Sequence, residues 1–142
     1  MKVQIFLMVN DIEEAEQFYT KELKMFSIIF SEMRGTLLRH VKHDYFELFL
    51  EKNRNTVDIP DSNEPIFAIE TYNCKEEFAR IRTINFLSGG YIYKHKDEKE
   101  PSTLEYPLGE SFLMIDPSGN RFIIYEDFYY GTKSTYEHNK PQ

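Results

Sequence analysis

The feature that most constrains the fold is an order of strand, cap and helix that occurs twice along the chain. Residues 3–9 alternate between aliphatic and other side chains, which is the period of a β-strand. Asp11 follows directly, where its carboxylate can accept hydrogen bonds from the first turn of a helix. Residues 65–71 form a second strand-like run, and Asn73 precedes a second helical pattern. The sequence therefore predicts two similar modules.

Further strand-like runs complete each module. In the first they are residues 26–33, 36–42 and 45–51, separated by short turns at 34–35 and 43–44. In the second they are residues 91–96, 110–115 and 121–127, and the charged stretch 97–108 is predicted to be a loop. We expect an α+β fold with two βαβββ modules, residues 1–51 and 65–127, joined by a polar linker at 52–64 and followed by a tail at 128–142.

Length, hydrophobic content, net charge and cysteine content limit the kinds of protein that the chain can be and the partners that it can bind. A length of 142 residues suits one domain, predicted here over residues 1–127, and 41% hydrophobic residues suit a folded core. A net charge of −7 argues against binding nucleic acid and favours a neutral or cationic ligand over a polyanion. The chain begins without an export-type leader, and Cys74, its single cysteine, cannot form an internal disulfide. These features predict a cytoplasmic protein without a membrane partner.

Two short motifs carry a family resemblance. Residues 9–12 read Val-Asn-Asp-Ile and are followed by Phe-Tyr at 18–19, and residues 116–120 read Asp-Pro-Ser-Gly-Asn before an apolar run at 122–124. Together, in this order, they resemble signatures of the vicinal oxygen chelate superfamily, which includes glyoxalases, extradiol dioxygenases and bleomycin-resistance proteins. The resemblance covers about residues 1–127. It implies that the two modules form a curved mixed sheet around a central cleft.

The resemblance also implies where a divalent metal would be held. Gln4 and Glu47 stand where active members of the superfamily have their first two ligands, but Ile66 and Ile123 stand at the third and fourth positions. Two oxygen donors would leave an ion largely hydrated and weakly bound. We therefore expect no cofactor and no metal.

The alternative keeps a metal such as Ni, Zn, Fe or Mn. Gln4 and Glu47 would then be half of its site, completed by Glu70, by Glu126 or by a residue of a partner subunit.

The candidate ligand-binding residues are those that strand alternation turns towards the expected cleft. They are Gln4, Phe6, Tyr45, Glu47, Phe49, Glu70, Phe112 and Tyr125. Aromatic walls suit flat aromatic or cationic ligands; taken singly, each aromatic residue fits the core or a dimer interface better, and only the set suggests a ligand site. Glu47 is the candidate catalytic residue; the other interpretation is a carboxylate satisfied by a neighbouring hydroxyl or basic group.

The remaining reactive side chains are weaker candidates. The strand pleat should send His40 and His43 to opposite faces, so the sequence predicts surface histidines rather than a metal pair. Cys74 lies near a helix start without an evident His or Asp partner, which favours a packed thiol over a nucleophile.

These observations lead to two functional hypotheses. The first is metal-independent binding of a small aromatic or cationic molecule in an acidic, aromatic cleft of a homodimer; the resemblance to bleomycin-resistance proteins implies sequestration of a drug or toxin. The second is a metal-dependent lyase, isomerase or dioxygenase of the glyoxalase type, in which the metal polarises the substrate and a carboxylate moves the proton.

Overall fold

The first half of the chain forms the predicted order of elements in a computed structural model, which describes residues 1–53, 64–106 and 109–128. Its elements are β1 (Val3–Val9), α1 (Ile12–Glu16), a π-helical segment (Gln17–Glu22), β2 (Phe26–Glu32), β3 (Gly35–His40) and β4 (Phe46–Lys52). The predicted cap forms, because the carboxylate of Asp11 accepts a hydrogen bond from the N–H of Glu14 at 3.0 Å.

These four strands form one sheet in the order β1-β4-β3-β2. β1 and β4 are parallel, while β2, β3 and β4 form an antiparallel meander. One face of the sheet is apolar and buried: Leu7, Val9, Leu38, Leu48 and Leu50. The helical residues Ala15, Phe18 and Tyr19 are buried as well. Burial of each large apolar side chain stabilises the fold by about 1.5–3 kcal/mol.

The second half repeats this arrangement with one additional strand. Its elements are β5 (Phe67–Glu70), α2 (Cys74–Ile81), β6 (Tyr91–Ile92), β7 (Leu104–Tyr106), β8 (Gly109–Ile115) and β9 (Arg121–Asp127). The sheet order is β5-β9-β8-β6, with β7 also paired to β8, and the first and last strands are again neighbours and parallel. Asn73 caps α2 by accepting from the N–H of Glu76 at 3.1 Å. The α+β prediction is confirmed.

The structure differs from the predicted elements between residues 91 and 108. The predicted strand 91–96 is only the two-residue β6, and the predicted loop 97–108 contains β7. β7 exists because it pairs with β8, from Leu104 opposite Ser111 to Tyr106 opposite Gly109. A three-residue strand between prolines has too little alternation for the sequence to reveal it. Of the predicted linker, residues 54–63 lie outside the described residues, as do residues 129–142 of the tail.

The described residues gather into two compact units. The first contains residues 1–53, 84–91 and 116–120, and the second contains residues 64–83, 92–106, 109–115 and 121–128. Two stretches predicted for the second module, 84–91 and 116–120, thus belong to the first unit. A single domain over residues 1–127 stays a prediction. In the described part of the chain, no helix is long and apolar enough to cross a membrane.

The two sequence motifs meet inside the first unit. The hydroxyl oxygen of Ser118 accepts from the N–H of Asn10 at 2.9 Å, and the Asn120 amide donates to the carbonyl of Met8 at 2.9 Å. The turn 116–120 therefore holds the end of β1 and the start of α1. These hydrogen bonds join residues that are 108 or more positions apart in sequence. The two motifs are therefore parts of one structural feature of the fold.

Asp116 is the centre of that turn. Its carboxylate is 1% exposed and accepts from the Tyr19 hydroxyl at 2.8 Å, from the Asn120 amide at 3.0 Å, and from the backbone N–H groups of Ser118 and Asn120 at 2.9 Å each. Burial raises the pKa of Asp116 despite these bonds, and burial next to that carboxylate raises the pKa of Tyr19 well above 10.0.

Candidate functional site

The candidate residues of the first module lie on the sheet face opposite the buried aliphatic one. We call this surface the open face; it comprises Lys2, which precedes β1, with Gln4, Phe6 and Met8 of β1, Leu37 and Arg39 of β3, and Glu47 and Phe49 of β4. Its rows follow the strand register, which pairs Gln4 with Glu47 and Phe6 with Phe49. The structure therefore brings together the residues that the sequence predicted for this half.

Aromatic rings form the middle of the open face. Phe6 is 67% exposed, and its ring centroid lies 5.7 Å from that of Phe49 in an edge-to-face arrangement. Gly35 allows the Phe49 ring to lie here, because a Cβ at this glycine would stand 3.0 Å from the ring and collide with the Leu50 carbonyl oxygen. An exposed aromatic ring held in place by its neighbour is available to contact a ligand.

A hydrogen-bonded polar network lies at one end of the open face. Glu47 is 1% exposed, and its Oε1 accepts from the Gln4 amide at 2.9 Å. Its Oε2 accepts from Nε and Nη2 of Arg39 at 3.0 and 2.9 Å and lies 3.6 Å from Nζ of Lys2. We refer to Lys2, Gln4, Arg39 and Glu47 as the polar network.

The network keeps Glu47 ionised. Hydrogen bonds from Gln4 and Arg39, together with the nearby charge of Lys2, lower the pKa of Glu47 below 4.5, although burial acts in the opposite direction. The contacts of Glu47 agree with the second interpretation given above, in which a basic neighbour satisfies the carboxylate.

Sequence reasoning missed Arg39. The antiparallel register pairs it directly with Glu47, since the turn between β3 and β4 is centred on His43. The sequence predicts the turn at 43–44, so its predicted centre lies half a residue later along the chain. With that centre, Arg39 would not lie opposite Glu47. The sequence did contain a signal for this pair, because Arg39 and Glu47 carry opposite charges at nearly matching positions of the predicted hairpin.

Tyr45 lies at the margin of the open face, immediately before β4. Its carbonyl accepts from the N–H of Val3 at 2.7 Å, its side chain is exposed, and its ring centroid is 5.8 Å from that of His43. Strand alternation puts Tyr45 on the same side as Glu47.

Two candidate residues of the second module share a face of the second sheet. Glu70 and Tyr125 are opposite each other in the register of β5 and β9. Ile66 and Ile123 fall on the same face by alternation, so apolar side chains stand where the resemblance implies metal ligands.

Phe112 does not share the face of Tyr125, which corrects its prediction as a residue of the cleft. Phe112 pairs with Ile124, is buried, and packs against Phe78 of α2 with ring centroids 5.3 Å apart. Because side chains alternate along β8, Ser111 is the residue opposite Tyr125. Phe112 thus belongs to the core between sheet and helix.

Glu126 lies on the buried side of the second sheet as well. Its carboxylate accepts from the N–H of Cys74 at 2.9 Å, at the start of α2. Glu126 therefore accepts a hydrogen bond at the start of α2, and its side chain does not lie on the face of Glu70. The Cys74 thiol is buried, as predicted, and burial near Glu110 and Glu126 raises its pKa to about 12, which does not suit a nucleophile.

His40 is buried, which corrects the prediction of a surface residue. Its Nδ1 accepts from the backbone N–H groups of Lys42 and His43 at 3.1 and 2.9 Å, and the two histidine rings lie 4.8 Å apart. β3 ends at His40, so the pleat argument does not extend to His43 in the turn. Burial lowers the pKa of His40 to about 4, which keeps Nδ1 available as an acceptor.

The donor set of the open face does not suit a divalent ion. The carboxylate of the polar network, Glu47, is bound by a guanidinium, and Gln4 directs its amide N–H towards that carboxylate. Across residues 1–53, 64–106 and 109–128, no group of three or more His, Cys, Asp and Glu side chains is arranged to hold a metal. The absence of a cofactor stays a prediction that metal analysis would test.

Comparison with known proteins gives structural matches. Neither a protein-family model nor a curated protein sequence matches the chain significantly. UcmS2 superposes with a TM-score of 0.69 at 18% identity, over 89% of this chain and 98% of that one. TnmS3, an antibiotic binding protein from Streptomyces sp. CB03234, gives 0.65 at 18% identity over 89% and 95%.

A third match is the bleomycin-binding protein of the bleomycin-producing Streptomyces verticillus, solved with copper(II)-bleomycin. Its TM-score is 0.64 at 16% identity, over 89% of this chain and 95% of that one. The chain therefore has the fold of the glyoxalase and bleomycin-resistance proteins of the vicinal oxygen chelate superfamily, as its two sequence motifs predict.

Proposed function

We propose that this protein binds a small organic molecule with an aromatic part on the open face, without a metal ion, and thereby sequesters a drug or toxin. The observation that carries the proposal is the exposed ring of Phe6 beside Phe49, next to a buried and fully paired charge at Glu47. Exposed aromatic side chains next to fixed polar groups are typical of a ligand site.

The structural neighbours support the same function. One of them is described as an antibiotic binding protein, and another was solved with copper(II)-bleomycin bound. At 16–18% identity they share the fold with this chain, and the ligand must be argued from its own residues.

The contacts of Glu47 speak against the lyase or isomerase alternative. A general base works best when its pKa lies near the working pH, whereas Arg39 and Gln4 lower the pKa of Glu47. Retention of nearly stoichiometric Ni, Zn, Fe or Mn by the purified protein after dialysis would overturn the metal-independent part of the proposal.

Methionine methyl groups provide a direct test of ligand binding. The chain has five Met residues; Met8 lies on the open face, Met25 and Met114 are buried, and Met33 is fully exposed. We expect small aromatic compounds to shift the 13C-methyl signal of Met8 in a saturable way and to leave those of Met114 and Met33 unchanged. A panel of aromatic compounds that leaves Met8 unchanged would contradict the proposal.

The same spectra separate a ligand from a second copy of the chain. The homodimer and the cytoplasmic location stay predictions, and sedimentation would test the first. If the Met8 signal shifts with protein concentration in the absence of any compound, another protomer covers the open face. That result would count against a ligand site there.

A further inference from the structure

The charged groups that the polar network presents to solvent are cationic, although the whole protein has a net charge of −7. Glu47 is buried beneath its partners, while the side chains of Arg39 and Lys2 are 33% and 59% exposed. Two positive charges and one negative charge leave this end of the face with one net positive charge. A ligand group that approaches the polar network therefore meets donors and positive charge.

Two acids on the same side of the sheet, beyond the residues of the open face, lie far from the network. Glu32 and Glu51 both pair with Gly35 in the strand register, from opposite sides. Glu51 lies four residues beyond Glu47 along β4. Four residues of a strand span about 13 Å, which exceeds the screening length at physiological ionic strength. Phe49 lies midway between Glu47 and Glu51, so a ligand group that extends from the rings towards Arg39 and Lys2 points away from Glu51.

We infer that the ligand of the open face carries an anionic group, such as a carboxylate or a sulfonate, next to its aromatic part, and that Arg39 and Lys2 bind this group. The inference rests on the proposed function and names the class of ligand. It differs from the expectation of an aromatic or cationic ligand, which followed from the aromatic walls and the overall acidity. Arg39 uses Nε and Nη2 for Glu47, and its Nη1 carries two further N–H groups that suit an anion.

Three probes of one shape and different charge test the inference: 2-naphthoate, 2-naphthamide and 2-naphthylmethylammonium. Dissociation constants come from titrations of the Met8 methyl signal. We expect 2-naphthoate to bind about tenfold tighter than the ammonium probe, with the neutral amide between them, because the network attracts one charge and repels the other. The difference should shrink in 0.5 M salt, where exposed charges are screened within about 4 Å.

A lysine pair provides matched variants. Lys2→Met removes a positive charge at the network and should weaken 2-naphthoate several-fold while leaving 2-naphthamide unchanged. Lys75→Met removes the same charge from the second unit, where Lys75 is exposed and lies 3.6 Å from Glu110. The Lys75 variant should bind both probes as the parent protein does. Equal losses in both variants would show an effect of net charge alone and would overturn the inference.

The variant Glu47→Gln distinguishes two kinds of site: one in which Arg39 and Lys2 bind an anionic ligand group, and one in which Glu47 binds a cationic ligand group. The substitution raises the net charge of the network by one, so a folded variant should bind 2-naphthoate at least as tightly as the parent. A folded variant that binds 2-naphthoate more weakly than the parent would show that the positive charge of the network does not attract the anion, which overturns the inference.

The outcomes separate this inference from the proposed function. If the ammonium probe binds as tightly as 2-naphthoate and both shift Met8, the ligand site stands and the anion inference fails. If no probe shifts Met8, both fail.

Discussion

Glu47 and Asp116 are carboxylates with the same exposure, 1%, and opposite electrostatics. Glu47 is bound by a guanidinium, lies near an ammonium group, and has a lowered pKa. Asp116 accepts four hydrogen bonds from neutral groups and has a raised pKa. At Asp116 burial outweighs the hydrogen bonds and raises the pKa, whereas at Glu47 the hydrogen bonds from Gln4 and Arg39 outweigh burial and lower it.

The difference extends to what each residue does for the fold. Asp116 joins its own turn to Tyr19, so it holds distant parts of the first unit together. Glu47 joins three neighbouring strands of one sheet, whose register already places Gln4 and Arg39 beside it. We therefore expect Asp116 to matter more for stability and Glu47 to matter more for the charge of the open face.

The largest expected effect is that of Asp116→Ala. The substitution leaves the Tyr19 hydroxyl, the Asn120 amide and two backbone N–H groups without their acceptor. Each unpaired buried group costs about 1 kcal/mol or more, so urea unfolding should show a loss of about 3–4 kcal/mol. Tyr19→Phe removes one of the four bonds and keeps the ring, and should cost about 1 kcal/mol. Equal losses in the two variants would contradict a shared role of the four donors.

The sequence predicts the turn at Asp116 better than the polar network, for a physical reason. A turn of Asp, Pro, Ser, Gly and Asn is defined by local backbone preferences, so adjacent residues reveal it. The network depends on the register between strands, and a turn centre displaced by half a residue hides Arg39 from Glu47. The register of β8 and β9 is centred on residue 118, as the predicted turn implies, so Phe112 was assigned to the wrong face and not to a wrong register.

Other features escaped the sequence because they depend on packing. β7 forms only where β8 offers it a partner, and His40 is buried because β3 ends there and its Nδ1 accepts bonds from the following turn. Helix caps required no such partner, so Asp11 and Asn73 were predicted correctly.

An intermediate effect is expected from a double-mutant cycle of Arg39→Met and Glu47→Gln. Breaking a fully buried ion pair costs about 3–5 kcal/mol, and the partial exposure of Arg39 reduces the expected cost of each single substitution to about 2 kcal/mol. The double variant should lose little more than one single variant, since neither partner is left alone. Additive losses, measured by urea unfolding, would mean that the two side chains stabilise the sheet independently.

The smallest expected effect is a pH dependence with opposite signs for the two carboxylates. Glu47 has a lowered pKa, so its stabilising contribution is complete above pH 4.5 and is lost as the pH falls through its folded-state pKa. Asp116 has a raised pKa, so its contribution is complete below pH 3.8 and is lost as the pH rises through its folded-state pKa. Each can change stability by at most about 1.4 kcal/mol per pH unit.

Difference curves isolate these contributions from those of the other acids. The unfolding free energy of the parent minus that of Glu47→Gln should fall on acidification below pH 4.5, while the parent minus Asp116→Asn should rise as the pH falls through the folded-state pKa of Asp116 and should be constant below pH 3.8. Both are read from urea unfolding at matched ionic strength, since salt weakens the exposed Arg39 and Lys2 charges more than the buried bonds of Asp116. Curves that move in the same direction would mean that the same effect, either burial or hydrogen bonding, dominates the pKa of both groups.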